Sequence, residues 1–168
     1  MGKVLSAFGN GFPGSVTRSM DDVIISMKNA GDAAIPFGAP VFLSADRSGV
    51  VGFDPTSPQE FTDFVGFAVR SADKTPGTYP GGPFDAQPQG EWEAGSVMEV
   101  LVRGSIAIKM SGTTRPGGRV YLRKSDGVIT ASAGSEGTTI ELTNARVRRA
   151  RLETNGCAEL TVLNRNIQ

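Results

Sequence analysis

The side chains that usually carry reactions are nearly missing from this sequence. It has no histidine and one cysteine, Cys157. Proton transfer near neutral pH, thiolate attack and zinc ligation run mostly through those two residue types. With no histidine to activate it, Cys157 reads as a small buried strand residue, and alone it can form no intrachain disulfide. The remaining candidates are carboxylates, paired as Asp21 with Asp22 and Glu91 with Glu93. On a strand, Glu91 and Glu93 point the same way with Trp92 between them, so a two-carboxylate sugar site is the most chemical reading available. A solvated strand edge explains the same spacing. No nucleophile–base pair accompanies them, and no Asp/Gly run has the spacing of a calcium loop. The sequence therefore yields no catalytic, cofactor-binding or metal-ligating residue.

Three motif-like stretches dissolve on inspection. Gly9-Asn10-Gly11-Phe12-Pro13-Gly14 fits G-x-G-x-x-G, but that pattern cradles a pyrophosphate only between a strand and a helix. Here Pro13 sits inside it and no helix follows. Met1-Gly2-Lys3-Val4-Leu5-Ser6 fits the short acylation pattern, which recurs by chance. Arg146-Val147-Arg148-Arg149-Ala150-Arg151 looks like a nucleic-acid patch, yet on a strand Arg146 and Arg148 face one way and Arg149 and Arg151 the other. That arrangement fits an edge strand, or an Arg set meeting acidic groups on a neighbour. Cationic and anionic residues total 17 each, so net charge is zero, which argues against nucleic-acid binding by phosphate neutralisation. Of the 17 cations, 12 are Arg, the residue favoured in partly desolvated contacts between proteins. No apolar run is long enough to span a bilayer, and no secretory leader is visible, so a soluble chain made in a cytoplasm is expected.

The elements that must position these residues are short strands. Val23-Ile24-Ile25, Pro40–Leu43, Val50–Phe53 and Phe64–Val69 are apolar or β-branched runs bounded by turn signals, and the last is apolar on both faces and so buried. Met98, Val100 and Val102, then Ile106, Ile108 and Met110, alternate with other residues at period two, and Gly104 between them marks a bulge or bend. Val120–Leu122 and Val128–Thr130 flank Asp126-Gly127, a pair suited to a tight hairpin whose central residues both take positive φ. Asn155-Gly156 plays the same part between Arg146–Glu153 and Ala158–Leu163. No amphipathic helix of useful length emerges. The expected fold is all-β: one barrel-like or sandwich-like domain of about ten short antiparallel strands over residues 21–168. It carries an extended N-terminal arm at residues 1–20 and a long Gly/Pro-rich loop at 71–91. The arm's Phe8 and Phe12, and the loop's Tyr79 and Phe84 with Trp92 beyond it, either fold back on the body or are kept for a partner.

The order of segments resembles a known family. Gly11-Phe12-Pro13-Gly14-Ser15-Val16-Thr17-Arg18 leads to Asp22-Val23-Ile24, then to Ile35-Pro36-Phe37-Gly38-Ala39-Pro40-Val41. Phe61-Thr62-Asp63-Phe64-Val65-Gly66-Phe67-Ala68-Val69-Arg70 follows, and later Gly95-Ser96-Val97-Met98-Glu99-Val100-Leu101-Val102-Arg103-Gly104. From about residue 9 to residue 165 the chain resembles the structural cement, or head decoration, proteins of tailed bacteriophages. The resemblance implies a β-barrel-like body on the outer surface of the virion capsid, made in the host bacterial cytoplasm. It implies bridging of neighbouring major capsid protein subunits by a homo-oligomer, a trimer or a dimer, and it brings no catalytic residues. From the residues themselves, the capsid or subunit interface is expected at Phe8, Phe12, Arg18, Tyr79, Phe84, Trp92, Arg146 and Arg148. No cofactor, nucleic acid, membrane or small-molecule substrate is expected. The rivals are a carbohydrate- or receptor-binding β-domain of a tail or fibre using Trp92, Tyr79 and Tyr121, an enzyme built on Glu91, Glu93 or Asp63, and a general oligomeric β-scaffold.

Overall fold

The computed structural model describes residues 10–57, 60–71, 90–151 and 156–164, with the backbone alone for 18–20. The strands are β1 (Val16–Lys28), β2 (Ile35–Pro36), β3 (Pro40–Leu43), β4 (Val50–Gly52), β5 (Phe64–Ala68), β6 (Glu91–Trp92), β7 (Val97–Lys109), β8 (Arg119–Arg123), β9 (Ile129–Thr130), β10 (Thr139–Arg149) and β11 (Cys157–Val162). One 3-10 turn, Phe61–Asp63, precedes β5. All-β architecture is what the alternating apolar runs predict. The main sheet runs β4-β3-β5-β7-β11-β10-β8-β9, with β1 also paired to β7, and β2 pairs with β6 apart from it.

β7 is the spine. Its first half pairs with β5 (Phe67 opposite Leu101) and its second half with β11 (Leu160 opposite Ile106), so the sheet forks along it. Gly104 stands between the halves at φ 124°, a conformation open to glycine and strained for any L side chain. A Cβ there would lie 2.0 Å from Asp22 Oδ1, which instead accepts the Ser105 backbone N–H at 3.2 Å. Across this point the β1–β7 register shifts. Met98, Val100 and Val102 face one core, whereas Ile106, Ile108 and Met110 face the other, which Leu101 also joins. An inserted residue flips the alternation, so the bulge is what lets one strand serve two cores.

The first core lies inside a small barrel. β1, β7, β5, β3 and β4 curl until Asn29, just past β1, meets Val50 of β4 in a parallel bridge. Ile35, Val41, Val65, Trp92 and Val100 fill it. The second core lies between β3 and β5 on one side and β8, β10 and β11 on the other. Phe42, Phe64 and Phe67 meet there edge to face, with centroids 5.9 and 5.3 Å apart.

Four features differ from the sequence reading. β1 starts at Val16, five residues before the expected domain start at 21, and the described part of the stretch read as an arm lies on the body. Gly14 donates to Ala107 O at 2.9 Å, Ala107 N donates to Ser15 O at 2.9 Å, and Asn10 is buried. Gly14 passes so near Gly38 that a Cβ would stand 2.9 Å from its nitrogen, so backbone contact explains the glycine there rather than freedom of an arm. The β8–β9 turn is wider than a two-residue hairpin. Gly127 takes φ 70° but Asp126 does not take positive φ; it uses its carboxylate on Arg123 and on Val128 N–H. β10 begins at Thr139, well before the expected Arg146, through the alternation of Ile140 and Leu142. Finally, β10 pairs with both β11 and β8, so the Arg-rich segment is no edge strand.

Candidate functional site

Of the eight residues expected at an interface, Phe8, Tyr79 and Phe84 lie outside the described residues, as does the Arg18 side chain. Trp92 is a correction. It is 5% exposed, donates its indole N–H to Val69 O at 2.9 Å, and meets Phe37 edge-on at 5.9 Å. β6 pairs with β2, which turns this indole into the barrel core as its plug. Glu91 and Glu93, on either side, are exposed. Phe12 is half-buried beneath the Arg70 guanidinium, 5.1 Å from its ring centroid, and the same guanidinium covers Phe37 at 5.5 Å. Burial lowers the Arg70 pKa.

Two of the segment's four arginines, Arg146 and Arg148, are engaged within the chain. Arg146 donates to Ala145 O at 2.8 Å and Thr143 O at 3.2 Å. Arg148 stands 3.8 Å from the buried Glu159 carboxylate on neighbouring β11, and Thr17 Oγ1 donates to that carboxylate at 3.0 Å. The acidic neighbour allowed for in the sequence reading is thus Glu159.

The residues of the enzymatic reading are not brought together. Asp63 lies in the 3-10 turn and lines a groove whose lining includes neither Glu91 nor Glu93. Among the described residues no three of His, Cys, Asp and Glu could hold a metal ion. Cys157 is buried, and desolvation raises its thiol pKa against the opposing pull of Lys109 and Arg151. No helix among the described residues is long and apolar enough to cross a membrane.

What the surface does offer is contact area. In the β1–β7 ribbon, Ile24, Ser26 and Lys28 lie opposite Leu101, Glu99 and Val97 and share their face. Ile24 is 42% and Val97 66% exposed, with Lys28 and Glu99 beside them. Val23, across a register shift from Ile24, is also exposed. Sequence reasoning placed Val23 and Ile24 in a strand without marking them as surface; their neighbours Ile25 and Met27 do pack on the barrel core. Near the β3–β4 turn an open groove of about 880 Å³ is lined by Asp32, Asp54 and Asp63, with Arg47 the one cation among its lining residues. In that turn Asp46 is held at a pKa of about 2 by hydrogen bonds from Ser44 and Ser48.

Comparison with known proteins assigns this architecture. A chain in the solved structure described as "The capsid of Myoviridae Phage XM1" superposes with a TM-score of 0.69 over 96% of this chain and 95% of that one, at 15% sequence identity, which establishes a shared fold. No curated protein sequence matches. The sequence matches the family "Structural cement protein (E217 gp24/Pam3 gp6)" over residues 3–164. With that match running through both cores and every strand, this chain belongs to the phage structural cement protein family.

Proposed function

We propose that the chain sits on the outer surface of the phage head and clamps neighbouring major capsid protein subunits together, acting as a homo-oligomer, with a trimer favoured. The observation that carries this is the family membership of the whole described body, joined to exposed Ile24 and Val97 on the β1–β7 ribbon and no assembled reactive cluster among the described residues. A shell filled with DNA is under outward pressure. A clamp resists it by burying area across subunit boundaries. A standard interface of about 1,600 Å² gives modest to high affinity per site, and many copies act together. No turnover, cofactor, nucleic acid, membrane or small-molecule substrate belongs to this role. Nothing in the family match favours a carbohydrate-binding tail or fibre component.

The test mixes purified protein with expanded heads assembled from its cognate major capsid protein, and measures occupancy, solution mass and the temperature at which heads rupture. Saturable occupancy with raised rupture temperature supports the reading; absence of binding sinks it. Residues 2–9, with Phe8, provide a test of the arm. Their deletion keeps Asn10 and β1, and is expected to lower occupancy with the fold intact.

A further inference from the structure

A second groove, of about 460 Å³, lies where the end of β7 meets the β8–β9 turn and the segment after β2. Its floor is apolar, with Phe37, Pro40, Met110 and Val128 among the lining residues, and Lys109 and Arg151 flank it. The two cations converge. Arg151 Nε and Lys109 Cγ each stand 3.9 Å from where a Cβ on Gly156 would be. Among the described residues no carboxylate lines the groove and neither cation has an ion-pair partner. The Arg151 Nε–H is buried with no acceptor. A buried donor on a charged group normally finds a partner, since leaving it unmet is expensive.

We infer that this groove receives an extended peptide segment of the major capsid protein that presents a carboxylate to Lys109 and Arg151 and an apolar side chain to the floor. The inference rests on the cement reading. Charge selects the occupant. Residues 1–9 and 165–168 of this chain carry Lys3 and Arg165 and no Asp or Glu, so neither complements the cations. Asp73, Asp85 and Glu153 are the chain's own carboxylates outside the described residues, and a crosslink to their segments overturns the choice of occupant. The groove near the β3–β4 turn is lined by three Asp and one Arg and suits the opposite sign. Met110 lets the floor adapt to the apolar side chain it covers.

The experiment measures binding of the full chain to cement-free expanded heads. It compares wild type with Lys109→Glu/Arg151→Glu and with Lys124→Glu, which reverses an exposed cation on the β8–β9 loop outside the groove. The groove variant is expected to bind about tenfold or more weakly and to lose most of its salt dependence, with Lys124→Glu within about twofold of wild type. Should the double variant fail to fold, Lys109→Glu alone, at an exposed position, is expected to weaken binding about threefold. A photo-crosslinking residue at Val128 is expected to join a capsid protein peptide containing Asp or Glu. Wild-type affinity of the groove variant overturns this inference and leaves the cement reading standing. Equal losses for both variants overturn it as a nonspecific charge effect. A crosslink to another copy of this chain overturns the choice of occupant. If wild type itself does not bind heads, the cement reading falls and this inference with it.

Discussion

The two cores on either side of β7 handle polar groups in opposite ways. The barrel core is finished around one buried amide. Asn29 Nδ2 donates to the carbonyls of Ala33, Trp92 and Glu93, its Oδ1 accepts Gly31 N–H, and its backbone bonds Ser96 and Gly95. Nothing on this residue is left for a partner. The second core is sealed inside by aromatic packing, but at its outer mouth Lys109 and Arg151 stand without carboxylates among the described residues. The contrast separates two uses of polar side chains in one small protein. A saturated hub makes the fold unique, whereas unmet charge at a rim marks where binding energy remains to be gained.

The largest expected effect breaks the saturated side. Asn29→Ala removes the donor to the carbonyls of Ala33 and Trp92 and the acceptor of the Gly31 N–H, while Glu93 O keeps its bonds from Ser96. At about 1–3 kcal/mol for each buried group left unmet, a loss of about 4 kcal/mol is expected in denaturant titration. A loss below 1 kcal/mol would show that water replaces the amide and that closure at Val50 does not depend on it. Next comes the joint between the cores. Gly104→Ala places a side chain at φ 124° against Asp22 and is expected to destabilise by about 3 kcal/mol, whereas Gly95→Ala, at φ 75° with open space around its Cβ, is expected to cost about 1.

Smaller effects sharpen the distinction between core and interface. Trp92→Phe removes the bond to Val69 O and is expected to cost about 2 kcal/mol, with occupancy on heads unchanged under conditions where the variant is folded. Reduced occupancy would return Trp92 to the interface. Arg148→Met leaves Glu159 with Thr17 at a site only partly shielded on the Arg side, for an expected loss of about 1 kcal/mol at neutral pH. The smallest is a titration. Asp46, depressed from 3.8 to about 2, contributes stability that is present above pH 3.8 and lost as pH falls through about 2. Carboxyl-carbon NMR is expected to place its midpoint near 2, and Ser44→Ala is expected to move it upward.

Local pattern settles what local physics controls. Period-two alternation in β7, the apolar run of β5 and the turn residues between them dictate strands, because each strand must bury one face or both. The missing histidine and lone cysteine remove most reaction chemistry before any folding. Family character was also readable, from the order and spacing of the Gly/Pro/Val-rich segments. Non-local closure was not readable. Nothing near Trp92 says that two residues of β6 pair with Ile35–Pro36 and turn the indole inward. Nothing near Arg148 names Glu159, which reaches it through pairing with the next strand. The exposed ends of the β1–β7 ribbon and the unpaired cations at Gly156 likewise exist only once distant strands are in register. Strand identity depends on the character of a few successive side chains, whereas partners and exposure depend on which distant segments the bulge at Gly104 and the bridge at Asn29 bring together, and that was decided by the tertiary structure alone.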